Sequence, residues 1–282
     1  MYVDLHCHST ASDGTLPPSQ VVRLAKEAGL SALSLTDHDT INGVAEAAAA
    51  AAEVGIDFLP GIEISCEFPR PGTLHMLGYG IDPASTTLRD LTTTLLSARG
   101  DRNPLIVERL RELGLDVTMD DWRDEAKGGV LGRPQLAAIL LRKGYVRSRQ
   151  EAFDKYLGEG GAAYFDKERL PSRRAIRMIR DAGGVAVLAH PIQLRRENFP
   201  QVETIVKNLA DEGLSGVEVI HSDHDEMWVG ELDRMAERFG LLKTGGSDFH
   251  GGNKPEIALG VANGRRVPRA WFDALRQAVN LC

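Results

Sequence analysis

"PSRRAIRMIRDAGG" (residues 171–184), running straight into "VAVLAH" (185–190), decides the fold. The first part reads as a helix stopped by a glycine pair, since glycine ends helices at little steric cost. The second is an unbroken apolar run, the mark of a strand buried in a parallel sheet. Downstream the pattern repeats: "QVETIVKNLADEG" (201–213) and "GVEVI" (216–220), then "DEMWVGELDRMAERFG" (225–240) and "LLKTGGSD" (241–248). Upstream lie "YVDL" (2–5), a helix starting near Pro17–Ser19 and capped by Gly29, "SALSLT" (31–36), and an alanine-rich helix ending at Gly55. "DFLPGIEIS" (57–65) and "TLHMLGYG" (73–80) read as further strands. About seven strand–helix units predict an α/β chain whose parallel strands close into a barrel.

Residues 99–167 break the rhythm. "NPLIVERLRELG", "RPQLAAILLRKGY" and "RQEAFDKYLG" have helical patterns with no strand between them. They predict an all-helical insertion packed over one end of a barrel formed by 1–98 and 168–282.

With 282 residues, 43% hydrophobic and 26% charged, the chain has the bulk properties of a soluble globular protein with a sizeable core. A net charge of −7 argues against general double-stranded nucleic-acid binding. Three cysteines (Cys7, Cys66, Cys282) form no disulfide framework and suit a reducing cytoplasm. No signal peptide or membrane span is read, and no obligate protein partner is evident.

The histidines fall where the strands end. His6 and His8 close the first strand, His38 the second, His190 the strand 185–189, and His221 follows "VEVI". Glu63 lies in "PGIEIS", Asp248 and His250 in "GGSDFH", and Asp13 in the turn after the first strand. His75 sits on a strand rather than after one. Strand C-termini are where a parallel barrel builds its active site. A His-x-His pair alone arises by chance in roughly one such chain in five, so it needs these partners. Strand alternation turns His6 and His8 to one face and makes Cys7 a packed thiol. Imidazole and carboxylate donors together suit Zn²⁺, Mn²⁺ or Fe²⁺. His6, His8, Asp13, His38, Glu63, His75, His190, Asp248 and His250 exceed what one ion uses, so two or three divalent ions sharing carboxylates are expected.

"DLHCHSTASDG" (4–14), "LTDHD" (35–39), "PGIEIS" (60–65), "AHP" (189–191) and "GSDFH" (246–250) resemble the motifs of the PHP (polymerase and histidinol phosphatase) metal-dependent phosphoesterases. The resemblance implies a distorted (β/α)7 TIM-like barrel with a trinuclear site, manganese first and zinc or iron as alternatives. Carried over by position, His6, His8, Glu63 and Asp248 would hold one ion. Asp13, His38 and His250 would hold a second, and Glu63, His75 and His190 a third. The helical insertion, with "LGRPQLA" (131–137), resembles the branch of nucleoside 3′,5′-bisphosphate phosphatases and 5′–3′ exoribonucleases.

Such a site is expected to hydrolyse phosphomonoesters by attack of a metal-bridging hydroxide. The expected substrate is a nucleoside 3′,5′-bisphosphate such as pAp, leaving the 5′-nucleotide. Histidinol phosphate and short 5′-phosphorylated RNA are the alternatives. An amidohydrolase deaminase also opens on His-x-His but fits Glu63 and "SDFH" poorly. A non-enzymatic metal-binding module fits the full donor set poorly. His221, or a metal-held water, is the candidate proton donor, with Asp248 and His250 beside it. Asp37 and Asp39 are expected to orient ligands or cap a helix, and His224 to be solvated surface. Arg133, Lys167, Arg195 and Arg196 are the candidates for gripping the second phosphate, because guanidinium meets phosphate bidentately.

Overall fold

The computed structural model describes residues 1–126, 129–166 and 169–279. Eight strands form a nearly closed barrel: β1 (Tyr2–Asp4), β2 (Ala32–Leu35), β3 (Asp57–Cys66), β4 (Leu74–Tyr79), β5 (Val185–Leu188), β6 (Gly216–Ile220), β7 (Leu242–Gly245) and β8 (Val267–Pro268). They pair in the order β7-β6-β5-β4-β3-β2-β1-β8. Closure is made beyond the strand ends: Leu5 N–H donates to Gly245 O, Asp248 N–H to His6 O and His8 N–H to Phe249 O. A Cβ at Gly246 would lie 2.3 Å from His6 N, so only glycine lets the two chain segments approach this closely.

The expected α/β barrel is present, with two strands that depart from parallel pairing, β4 and the short β8. β4 runs antiparallel to both β3 and β5. Residues 67–73 join β3 to β4, too short a link for the crossover a parallel pair requires. The reversal brings the start of β4, and with it His75, to the end where the neighbouring parallel strands finish. A histidine early on a strand therefore joins histidines that follow strands. β8 adds a two-residue antiparallel edge to β1.

Strand alternation sorts side chains cleanly. Leu77, Tyr79, Val185, Val187 and Ile220 pack with Val3 and Leu5 inside the barrel. Met76, Ala186, Leu188, Val217 and Val219 face the outer helices α7 (Ser172–Asp181), α8 (Phe199–Asp211) and α9 (Glu226–Phe239). On the other side α1 (Pro18–Glu27) and α2 (Val44–Val54) cover Leu33 and Leu35, and Cys7 packs in that same layer. The last helix, α10 (Arg269–Val279), plugs the far end with Phe272 and Leu275.

Between β4 and α7 the helices of the described residues are α3 (Thr86–Glu112), α4 (Met119–Ala126), α5 (Arg133–Arg142) and α6 (Arg149–Ala152), which continues as a π-helical turn, Phe153–Leu157. α3 starts well before the pattern at Asn103. Ser85 caps it, and the hydroxyls of Thr92, Thr93 and Thr94 turn back onto Arg89 and Asp90 carbonyls. That threonine run weakens intrinsic helix preference, which hides the first half of α3 in the sequence. Leu88, Leu91 and Leu95 pack on the barrel, whereas Ile106, Val107 and Leu110 join Trp122, Leu136 and Leu140 in a separate core.

Candidate metal centre

Each candidate donor is delivered by a strand end. The loop after β1 folds back because Asp37 accepts from Ser9 N–H, Ser9 Oγ and Ser12 Oγ, and this carries Asp13 over the barrel mouth. Asp39 does not cap α2, which begins at Val44 after Gly43. Instead it accepts from Ser65 N–H and Oγ and from Arg99, tying β2 to the end of β3. Asp39, His190 and Asp248 all adopt positive φ (55°, 24° and 56°), backbone strain that concentrates at this rim.

Glu63 is the centre. It points into the barrel, fully buried, from β3. Its Oε1 lies 2.8 Å from His75 Nδ1 and 2.9 Å from His190 Nε2. Its Oε2 lies 2.9 Å from His38 Nδ1 and 3.3 Å from both His6 Nε2 and His8 Nε2. Asp248 Oδ1 sits 3.2 Å from His8 Nε2 and 3.5 Å from His6 Nε2. Asp13 Oδ1 sits 3.3 Å from His250 Nε2, and Asp13 Oδ2 4.0 Å from His38 Nε2. All nine sequence candidates thus converge on one pocket floor. Among the described residues, five groups of donor atoms are close enough to share an ion: His6/His8/Asp248, His8/Asp13/His38/His250, His38/Glu63/His75, His6/Glu63/His190 and His6/Glu218/His221.

The donor chemistry fits divalent cations. His6 Nδ1 faces Glu218 Oε1 at 2.9 Å, so that nitrogen carries a proton. In the neutral ring Nε2 is then a lone pair aimed at the oxygens of Glu63 and Asp248. His250 Nδ1 likewise donates to Asp248 O at 2.8 Å, leaving its Nε2 lone pair on Asp13. Acceptors facing acceptors in a buried site repel unless a proton or a cation lies between them. His8 Nε2, His38 Nδ1 and His190 Nδ1 are buried with no hydrogen-bond partner among the described residues. Burial pushes the carboxyls of Glu63, Asp13 and Asp248 up, but the polar groups facing them outweigh it and hold all three well below their usual range. These are the imidazoles of His38 and His75 at Glu63, those of His250 and His38 at Asp13, and the Lys254 ammonium with the His250 imidazole at Asp248. Burial pushes His75 down to about 4, which keeps its ring neutral and able to ligate.

His221 belongs to the same cluster but differs in kind. Asp223 N–H donates to its Nδ1 at 3.0 Å, so the proton of the neutral ring sits on Nε2, 3.4 Å from Asp248 Oδ2. A protonated Nε2 is a donor and not a ligand. His224, expected at the surface, is fully buried. Its Nδ1 donates to Val219 O and its ring stacks on Trp228, because the turn before α9 folds under that helix rather than into water.

The cationic candidates divide. Arg133 lines a cavity of about 240 Å³ whose other wall carries Asp13, His38 and His75. Arg195 lines a wider vestibule of about 760 Å³ that shares Thr73, Arg133, Phe153, Arg169 and Gln193 with that cavity. Arg196 turns away, stacking over Phe68 and donating to Pro69 O. Lys167 lies outside the described residues.

Sequence reasoning missed Arg99, Arg102 and Arg169, which join Arg133 in the inner cavity. Arg99 and Arg102 are one helical turn apart, a spacing legible only once α3 is known to reach them. Arg102 is 7% exposed, donates to Asn103 Oδ1, and leaves Nε without a partner among the described residues. Burial, with Arg133 and Arg99 beside it, pushes it down to about 10. Arg99 is paired with Asp39 and Arg169 with Asp166, whereas Arg102 and Arg133 have no ion-pair partner among the described residues and stand beside the imidazole–carboxylate cluster.

A family model, the PHP domain, matches residues 4–158. The chain belongs to the PHP domain family. Among its PHP relatives, a 5′-3′ exoribonuclease of Haemophilus influenzae is 35% identical over 247 residues, covering 88% of this chain and 89% of that one. A 3′,5′-nucleoside bisphosphate phosphatase of Chromobacterium violaceum is 35% identical over 251 residues, covering 88% and 87%. A crystal structure described as a metal-dependent phosphoesterase from Bifidobacterium adolescentis superposes with TM-score 0.86 at 31% identity, covering 97% and 94%. The PHP chain is thus a metal-dependent phosphoesterase, and its donor cluster is where divalent metal fits. No helix among the described residues is long and apolar enough to cross a membrane.

Proposed function

We propose that the enzyme removes the 3′-phosphate of nucleoside 3′,5′-bisphosphates such as pAp, leaving the 5′-nucleotide. The observation that carries this reading is the four-arginine cavity built against the imidazole–carboxylate cluster. A substrate with two phosphates a few ångströms apart uses both; histidinol phosphate leaves the arginines without a role. His6, His8, Glu63 and Asp248 would hold one ion, Asp13, His38 and His250 a second, and Glu63, His75 and His190 a third. We take manganese as the first choice. Bound divalent ions lower the pKa of water and neutralise charge on the attacking and leaving oxygens. Glu63, whose two oxygens face five imidazoles, would contribute to more than one ion position. Arg99, Arg102, Arg133 and Arg169 grip the non-reacting phosphate, with Arg195 guiding entry. His221 Nε2–H is aimed toward the Asp248 side and would hydrogen-bond the departing ribose oxygen, which would take its proton from water held at the ion site. Residues 99–167 act as the helical insertion roofing a barrel of 1–98 and 168–282, and we assign the enzyme to the cytoplasm.

A second reading, 5′–3′ exoribonuclease on short RNA, is favoured by the vestibule, which is larger than one nucleotide needs. Phosphate release from pAp, 5′-AMP, histidinol phosphate and a short 5′-phosphorylated RNA by the Mn²⁺-loaded protein separates the two. Release from pAp with AMP as product is expected. Release from histidinol phosphate and not pAp would overturn the substrate assignment.

A further inference from the structure

Glu218 is the buried ionisable group that the ligand set leaves unexplained. It stands in the middle of β6, where Val217 and Val219 turn outward into the helix layer and Glu218 turns into the barrel, fully buried. Burying a carboxylate among apolar strands costs several kcal/mol unless its oxygens are satisfied. Both are. Oε1 meets His6 Nδ1 at 2.9 Å, and Oε2 accepts His190 N–H at 2.7 Å. His6 follows β1 and His190 follows β5, so one side chain braces two donors arriving from different parts of the barrel. His190 is also the residue whose backbone is held at φ 24°.

A fourth ion between His6, Glu218 and His221 is the competing reading, since these atoms are close enough to share one. It fails on protons. His221 Nε2 carries hydrogen because Nδ1 accepts from Asp223 N–H, and His6 Nδ1 carries the hydrogen it gives to Glu218. Both carboxyl oxygens of Glu218 are taken up as acceptors, Oε1 toward His6 Nδ1 and Oε2 from His190 N–H.

We propose that Glu218 is a positioning residue that locks His6 as the Nδ1–H tautomer, with Nε2 left to ligate, and pins the His190 backbone. It thereby sets affinity at two ion positions, the His6/His8/Asp248 one and the Glu63/His75/His190 one, and leaves the Asp13/His38/His250 position untouched. Carboxylates behind ligating histidines fix tautomer and ring orientation, and their loss typically weakens metal binding about 10- to 100-fold. The inference rests on the metal assignment proposed above.

Glu218→Gln is isosteric but cannot serve both donors, because its amide NH₂ must face either His6 Nδ1–H or the His190 N–H. Titration of the metal-stripped wild type and variant with Mn²⁺ alone, followed calorimetrically, reads each position. The expected result is about a 10- to 100-fold loss at two positions and an unchanged third. A general loosening of the fold would weaken all three alike, and that outcome, or wild-type affinity throughout, overturns the proposal. Should the variant not fold, ¹⁵N-histidine spectra of the Zn²⁺-loaded wild type carry the test. His6 must show its proton on Nδ1, and a proton on Nε2 refutes the role. If the wild type itself takes up no metal, the metal assignment fails; if it loads and the variant loads equally, only Glu218's role fails.

Discussion

Replacing Arg102 with Met should stabilise the protein and cripple its grip on phosphate, opposite signs from one substitution. Arg102 is pushed from 12.5 down to about 10 by burial and by Arg133 and Arg99. At pH 7 its guanidinium is charged both folded and unfolded, so the folded chain carries the whole penalty. At 1.36 kcal/mol per pH unit that is about 3 kcal/mol. Methionine keeps most of the apolar stem, and the lost bond to Asn103 Oδ1 costs about 1 kcal/mol. Asn103 keeps its own bond to Leu131 O. The net gain of about 2 kcal/mol should raise Tm by roughly 4 °C. On the substrate side, a lost charge-assisted hydrogen bond of about 1.5–3 kcal/mol weakens binding roughly 10- to 150-fold. Differential scanning fluorimetry with and without inorganic phosphate measures both. Phosphate should raise the Tm of the wild type much more than that of Arg102→Met. A variant that melts lower than wild type and gains equally from phosphate would refute the anion-site reasoning.

His8→Ala and Asp248→Ala should abolish phosphate release and lower bound metal by at least one ion per chain, measured by elemental analysis; full turnover in His8→Ala would remove the shared-cluster argument. Arg195→Ala should raise KM for the bisphosphate with kcat little changed. Arg196→Ala should leave KM alone and cost about 1 kcal/mol of stability through Phe68 and Pro69, as read by urea unfolding. His224 is pushed down to about 4 by burial, below its unfolded value of 6.5. Its contribution is therefore fully present above pH 6.5 and lost as pH falls through 4. It amounts to about 3 kcal/mol. His224→Asn keeps an N–H for Val219 O, so its stability should vary less between pH 7 and 4; an unchanged slope would contradict this.

The barrel was legible because its strands are apolar runs separated by glycine-capped helices, and the gathering of candidate donors because histidines and carboxylates recur where those strands end. Strand direction was not legible at β4, where a short link rather than composition sets the pairing, and His75 looked misplaced until that strand reversed. Glu218 was hidden by its neighbours, since "GVEVI" reads as an apolar strand and its one carboxylate as an irregularity. Arg99 and Arg102 were hidden by the threonine run of α3, which masks a helix that tertiary packing enforces. His224 was misjudged because a polar run was read as a solvated one, whereas Trp228 covers it.

The most direct test of the metal centre is a titration of the chelator-stripped protein with Mn²⁺ while phosphate release from pAp is followed. The donor cluster predicts no release without metal and a rise to a plateau at two to three ions per chain. Full release from the stripped protein would contradict it.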